Sequence, residues 1–123
     1  GKVAPIPVGT GAGKPEPEMD ALSNIVKAFN DEYGNIDWKN RDEVQRQIEE
    51  LPVRLAGSID FVNAVKNGDR DVAQLRFNED IKDIVASMLE EKTEFVQTYF
   101  ANADFMNFVN ARVFEAALSR LSR

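Results

Sequence analysis

The chain has 123 residues, of which 43% are hydrophobic, and this is enough for one domain with a single core. It contains no cysteine and no histidine, which excludes disulfides, thiolate metal sites and any Ser-His or Cys-His catalytic pair. Fifteen Lys and Arg against 21 Asp and Glu give a net charge of -6, so nucleic acid is an unfavoured partner. No apolar run approaches the roughly 18 residues of a membrane span, and no signal peptide is recognisable, so we expect a soluble cytoplasmic protein without a membrane contact.

Residues 1–16 have the composition of a linker. They contain four glycines and three prolines, which interrupt every periodic pattern and predict a flexible or extended segment. Gly13-Lys14 resembles the end of a phosphate-binding loop, but a Walker loop requires a glycine at the position of Val8 and a hydroxyl at the position of Pro15. We therefore expect a connector here, followed by a single helical domain over residues 17–123.

The first predicted helix starts at Pro17 and ends near Tyr33, with Gly34 as the residue beyond its C-terminus. Its inward positions are Leu22, Ile25, Val26 and Phe29. The connection that follows, residues 35–40, holds the only tryptophan, Trp38. A tryptophan in a loop is either pinned into the core or left as an anchor for a partner.

The second helix is predicted from its cap. Asn40 followed by Glu43 is close to a capping box. Pro52 is expected to kink or divide the helix, because proline has no amide hydrogen to donate to the preceding turn. The residues predicted to face inward are Val44, Ile48, Leu51 and Leu55.

A short third helix and a long central helix are predicted next. The third carries Ile59, Val62 and Val65 on one side, with Phe61 beside them, and ends at Asn67-Gly68. Asp69 is expected to cap the central helix. Its apolar residues recur at the spacing of one helix face, and they are Phe77, Ile81, Ile84, Val85, Met88 and Leu89.

Two further helices complete the predicted all-α fold, a compact bundle of about five to six helices around the long central helix. Thr93 is expected to cap a short fifth helix that closes at Asn102, and a last helix begins near Asp104. Helical spacing assigns most of their aromatic residues to core packing rather than to a ligand pocket; these are Phe95, Tyr99, Phe100, Phe105, Phe108 and Phe114.

No catalytic, cofactor or metal residue is predicted. Glu90-Glu91-Lys92 has the Glu-x-Lys form of one class of nuclease metal site, but here it follows a helical stripe and is interpreted as a solvated helix end. Arg112, Arg120 and Arg123 give the last segment a local positive balance. They are interpreted either as an ordinary solvated C-terminal turn or as a contact for phosphate or an acidic partner.

Five stretches of the chain resemble the C-terminal region of the R subunit of type I restriction enzymes. The resemblance covers almost the whole chain from about Lys14 onward, and its most specific part lies between Phe29 and Ile48. The stretches are residues 22–38 (LSNIVKAFNDEYGNIDW), 44–52 (VQRQIEELP), 61–69 (FVNAVKNGD), 94–102 (EFVQTYFAN) and 105–109 (FMNFV).

The resemblance implies a non-catalytic docking domain. In this family the R subunit adds an ATP-dependent, Mg²⁺-requiring DNA translocase and endonuclease to a methyltransferase core of M and S subunits. Its helicase and nuclease motifs lie earlier in the subunit, so no catalytic residue is carried over to this chain. The expected partners are the M and S subunits and the rest of the R subunit, with Trp38, Arg112 and Arg120 as candidate partner-binding residues. The alternative is an accessory module that contacts DNA through the C-terminal arginines.

Overall fold

A computed structural model describes residues 21–34 and 36–121, and in this part of the chain the ordered elements are helices without strands. The predicted linker, residues 1–16, and Arg123 lie outside the described residues. The all-α prediction is confirmed. The six helices are α1 Ile25–Tyr33, α2 Arg41–Leu55, α3 Ile59–Lys66, α4 Arg70–Ser87, α5 Glu94–Ala101 and α6 Ala103–Leu121, with a 3-10 turn at Leu89–Glu91.

Side-chain caps begin four of these helices, and three of the caps were predicted. Asn40 Oδ1 accepts a hydrogen bond from the Glu43 amide (3.3 Å), Asp69 Oδ1 from that of Val72 (3.2 Å) and Thr93 Oγ1 from that of Val96 (3.4 Å). Asn102, predicted only as an end, also accepts from the Phe105 amide at 3.0 Å. Each cap satisfies an amide that has no partner inside its helix.

The first predicted helix is interrupted at Asn24. This residue adopts the left-handed conformation, with φ of 53°, so α1 begins at Ile25; Ala21 and Leu22 before it are helical, and the predicted start at Pro17 lies outside the described residues. The predicted end at Tyr33 is confirmed, and Gly34 follows with φ of 107°, a conformation that favours glycine.

The predicted division at Pro52 does not occur, because α2 continues to Leu55. The helix ends three residues later, so the missing amide removes a bond only from its last turns. The predicted inward residues of α2 are confirmed as buried.

One hydrophobic core joins all six helices, and α6 packs against each of the other five. The long helix predicted from the stripe is α4; it buries Phe77, Ile81 and Val85, and Met88 follows directly after its end. Ile84 is half-buried and Leu89 is exposed, since the helix has ended at Ser87 before Leu89 is reached.

The predicted face of α3 is confirmed at Val65 and wrong at Ile59. Its buried residues are Phe61, Ala64 and Val65, whereas Ile59 is 74% exposed. The Phe61 ring decides the orientation, because it packs against the rings of Phe77 and Phe114, with centroids 6.2 and 6.4 Å away. None of the described helices is long and apolar enough to cross a membrane.

Candidate docking surface

An aromatic cluster joins α1, the connection after it, α5 and α6. Phe105 of α6 is at its centre, with the rings of Phe29 at 5.2 Å, Trp38 at 5.3 Å and Phe95 at 6.2 Å. Phe29 also lies edge-on to Phe108, at 5.4 Å. Edge-to-face and tilted pairs at these distances add packing energy beyond simple burial.

Tyr33 brings this cluster to the surface. Its ring stacks on Phe29 with centroids 5.0 Å apart and lies perpendicular to Phe108 at 5.9 Å. The residue is nevertheless 51% exposed. A large aromatic ring is thus held in one orientation by buried neighbours while a substantial part of it faces solvent.

Trp38 is half-buried and packs against the core, with its ring 5.3 Å from that of Phe105. Its indole Nε1 is buried and has no hydrogen-bond partner within the described part of the chain. The sequence left two interpretations of Trp38 open, core packing or an anchor for a partner. The structure supports core packing for most of the indole, and the contact with a partner stays a prediction.

The connection that carries Trp38 is fixed at both ends by side chains. Asn30 makes a reciprocal pair with Ile36: its Nδ2 donates to the Ile36 carbonyl (3.3 Å) and its Oδ1 accepts from the Ile36 amide (3.1 Å). On the other side, the two carboxylate oxygens of Glu94 accept from the amides of Lys39 and Asn40, each at 2.8 Å. The loop is therefore held in one conformation by α1 and α5.

Asp104, Phe108 and Arg112 lie on one face of α6 because they are four residues apart. The Arg112 guanidinium carbon lies 3.7 Å from the Phe108 ring centroid, a cation–π contact, and the side chain is half-buried. Asp104 is exposed one turn before Phe108. Tyr33, which packs on Phe108, thus lies between a carboxylate and a guanidinium.

The charges around Tyr33 are mostly negative. The carboxylate of Glu32 raises the pKa of Tyr33 above its ordinary value of 10.0, Asp104 acts in the same direction, and Arg112 opposes them. A negative field disfavours the phenolate. We define the Tyr33 surface as Glu32, Tyr33, Asp104 and Arg112, which lie around the buried ring of Phe108.

The structure brings two of the three predicted site residues into the same region. Trp38 and Arg112 are linked through Phe105, Phe29 and Phe108 of the aromatic cluster. Arg120 is exposed two turns further along α6, about 12 Å away at 1.5 Å per residue. It belongs to a separate part of the surface.

Sequence reasoning missed three residues of this region: Tyr33, Asn30 and Glu94. Tyr33 was interpreted only as a helix end. Asn30 contacts a residue six positions later, and Glu94 contacts amides 54 and 55 positions earlier. No local pattern links Glu94 to the loop, whereas an asparagine close to the end of a helix was a usable signal for Asn30.

The Glu-x-Lys segment, residues 90–92, lies at the 3-10 turn. Its Glu91 accepts a hydrogen bond from Gln47 Nε2 at 3.4 Å. No group of three or more carboxylates suited to a metal ion occurs among residues 21–34 and 36–121.

Comparisons of the chain with protein-family models, curated proteins and solved structures find no match.

Proposed function

We propose that the chain is a docking domain that attaches the R subunit of a type I restriction enzyme to its methyltransferase core. The proposal combines the resemblance in residues 22–109 with one structural observation: an exposed aromatic ring, Tyr33, is held rigidly beside a loop that is fixed at both ends. In this proposal the domain performs no reaction itself.

The Tyr33 surface has the composition of an interface centre. Tyrosine, tryptophan and arginine are the residues that most often dominate the energy of protein–protein binding. The stacked Tyr33 ring and the fixed Trp38 connection lose little conformational freedom when a partner binds, and pre-organisation of this kind improves affinity. Exposed charges beside the aromatic centre set the register of a partner.

The proposed partners are the M and S subunits and the rest of the R subunit, in the cytoplasm. ATP and Mg²⁺ are required by the motor and nuclease of the parent subunit in this proposal, and no residue of this chain is assigned to either.

Binding of the full 123-residue chain to a purified complex of M and S subunits tests the proposal. We expect saturable binding at micromolar concentrations, measured by calorimetry, and none to an unrelated adenine methyltransferase of similar charge. The unrelated enzyme controls for binding that depends only on the net charge of -6. Absence of binding at micromolar concentrations would refute the docking role.

An accessory DNA contact is the second candidate, and the exposure of Arg120 favours it. In a gel-shift titration at low salt, this function requires a shift that weakens steeply as salt is added and that Arg120→Ala reduces. Arg112→Ala is the comparison, because its guanidinium already lies on the Phe108 ring. If no shift occurs at low salt, the DNA contact is excluded.

A further inference from the structure

Tyr33 presents an open aromatic surface beside negative charge. Phe29 stacks on one side of its ring and Phe108 meets it at right angles, yet half of the residue remains exposed. Glu32 precedes it in α1, and Asp104 lies on α6 one turn before Phe108. Both carboxylates are exposed and raise the pKa of the Tyr33 hydroxyl. Arg112, the nearby positive charge, already packs on Phe108.

The same chain shows what such an arrangement binds. The Arg70 guanidinium lies 5.1 Å from the centroid of the Phe114 ring and forms an ion pair, at 2.5 Å, with Glu115, the residue adjacent to that phenylalanine. Tyr33 and Glu32 repeat the combination of an aromatic ring and an adjacent carboxylate. Here, however, no arginine of the described residues lies on the Tyr33 ring itself. Arg112, the arginine beside it, lies on the ring of Phe108.

We propose that Tyr33, together with Glu32 and Asp104, binds an arginine side chain that projects from a partner protein. The inference rests on the proposed docking role and specifies the chemistry of its partner. A guanidinium stacks on the exposed part of the Tyr33 ring and pairs with the two carboxylates. Arginine is favoured over lysine because its planar group stacks on an aromatic ring and bonds a carboxylate through two N–H groups. The acidic balance of the chain, -6, favours a basic partner surface.

Phe100 provides a matched control. It is 45% exposed, close to the 51% of Tyr33, and it also lies against another aromatic ring, that of Tyr99 at 5.1 Å. It is on α5 and is not part of the Tyr33 surface. Tyr33→Ala and Phe100→Ala therefore remove similar exposed aromatic area from two different places.

The test is an NMR titration of the isotope-labelled full chain with N-acetylargininamide and, separately, with N-acetyllysinamide. We expect the arginine amide to shift the backbone signals of Glu32, Tyr33 and Asp104, and the lysine amide to bind more weakly. Tyr33→Ala should weaken the arginine amide by roughly two- to fivefold, the size of an exposed cation–π contact. Phe100→Ala should leave the affinity unchanged.

Three results would overturn the inference. The first is a set of shifts scattered over the acidic surface, and the second is equal affinity in Tyr33→Ala and the wild type. The third is a concentration-dependent shift at Tyr33 without ligand, since a second copy of the chain would then occupy the surface. A double variant, Glu32→Gln with Asp104→Asn, keeps the ring and its packing; it should weaken binding of the arginine amide and reduce its advantage over the lysine amide, because the paired N–H bonds to carboxylate are lost and only stacking remains. A well-dispersed spectrum confirms that each variant is folded.

The docking role is separated by repeating the calorimetry with the complex of M and S subunits. If the wild type binds the complex and Tyr33→Ala binds equally well, the docking role stands and the arginine inference falls. If the arginine amide binds at Tyr33 but the complex does not bind, the partner of this surface is a different protein and the docking role falls.

Discussion

Replacing Glu94 by alanine should destabilise the fold through the loop that carries Trp38. The Glu94 carboxylate accepts the amides of Lys39 and Asn40, each at 2.8 Å, and it lies in the first turn of α5 close to the start of α2. Both helix N-termini favour a negative charge at this place. Removal of the carboxylate leaves two amides without a protein partner, although water reaches them because the site is exposed.

The expected decrease in the free energy of unfolding is about 1–3 kcal/mol, from about 0.5–1.5 kcal/mol for each of the two hydrogen bonds. This is the range for neutral groups, and it is used in place of the higher range for charged groups because the site is exposed. For a domain of this size, this corresponds to a decrease in melting temperature of roughly 3–12 °C. Glu94→Gln should destabilise the fold by at least half as much as Glu94→Ala. The glutamine oxygen can still accept one amide, but its amide nitrogen faces the second N–H group, to which the other carboxylate oxygen was the acceptor.

Denaturant unfolding followed by tryptophan fluorescence measures both the stability and the loop, because Trp38 is the only tryptophan. Besides the lower midpoint, we expect the native emission of Glu94→Ala to move towards that of a solvated indole. Glu90→Ala is the control, an exposed carboxylate in the preceding 3-10 turn, and should change stability by less than about 0.5 kcal/mol. A Glu94→Ala midpoint equal to that of the control would refute the assigned role of the carboxylate.

Three further changes test other parts of the fold. Gln47→Leu should stabilise it by about 1 kcal/mol in denaturant unfolding, because Gln47 is 9% exposed, its Oε1 has no partner in the described residues and its Nε2 makes only a 3.4 Å bond; destabilisation would contradict this. Lys92→Gly should raise the free energy of unfolding by about 0.5–1 kcal/mol, and the melting temperature with it, because Lys92 has a φ of 52° that glycine adopts without strain; an unchanged melting temperature would show that the turn carries no strain. Burial raises the pKa of Tyr99 above 10.0, so its contribution to stability is complete below pH 10.0 and is lost as the pH rises through the folded-state pKa. Tyr99→Phe should flatten the decrease in stability above pH 10.0, and an unchanged decrease would contradict the assignment.

Caps and turns were predictable because their chemistry is local. Asn40, Asp69 and Thr93 each bond an amide three residues later, so residue type and position were sufficient. The glycine after Tyr33 was likewise predictable, since a positive φ ends the helix there. The left-handed turn at Asn24 was not, because the apolar spacing of Leu22, Ile25 and Val26 continues across it.

The orientation of α3 and the exposure of Phe100 were not predictable from spacing. The eight residues of α3 contain two overlapping apolar sets, one beginning at Ile59 and one at Phe61. The choice between them is made by the rings of Phe77 and Phe114, which come from other helices. Phe100 follows Tyr99 directly; Tyr99 is buried with Phe95 and Val96, whereas Phe100 is 45% exposed, and local spacing did not show that the buried face of α5 ends between these two rings.

The Tyr33 surface depends on contacts between distant parts of the chain, and this explains why the sequence indicated only Trp38 and Arg112. Tyr33 is exposed because α1 ends there, but its orientation is set by Phe29 and by Phe108 from α6. The sequence could place each of these rings on a helix, and it could not show that α1 and α6 meet at them. The contact between Arg112 and Phe108 is local, because both residues lie on α6. The spacing of four residues permits this contact, but the sequence does not show that it forms.

The fixed loop and the exposed ring support each other in a docking role. If residues 36–40 were mobile, a partner that contacted Trp38 would have to order the loop, at about 1–2 kcal/mol for each backbone residue fixed. Asn30 and Glu94 impose that order before binding, so the cost is met during folding. Glu94→Ala should therefore have two effects: lower stability of the free chain, and weaker binding of the M and S complex under conditions in which the variant is fully folded. A purely structural role of the loop would produce only the first. If Glu94→Ala lowers stability but binds as tightly as the wild type, the loop is a structural element and the partner contacts Tyr33 without it.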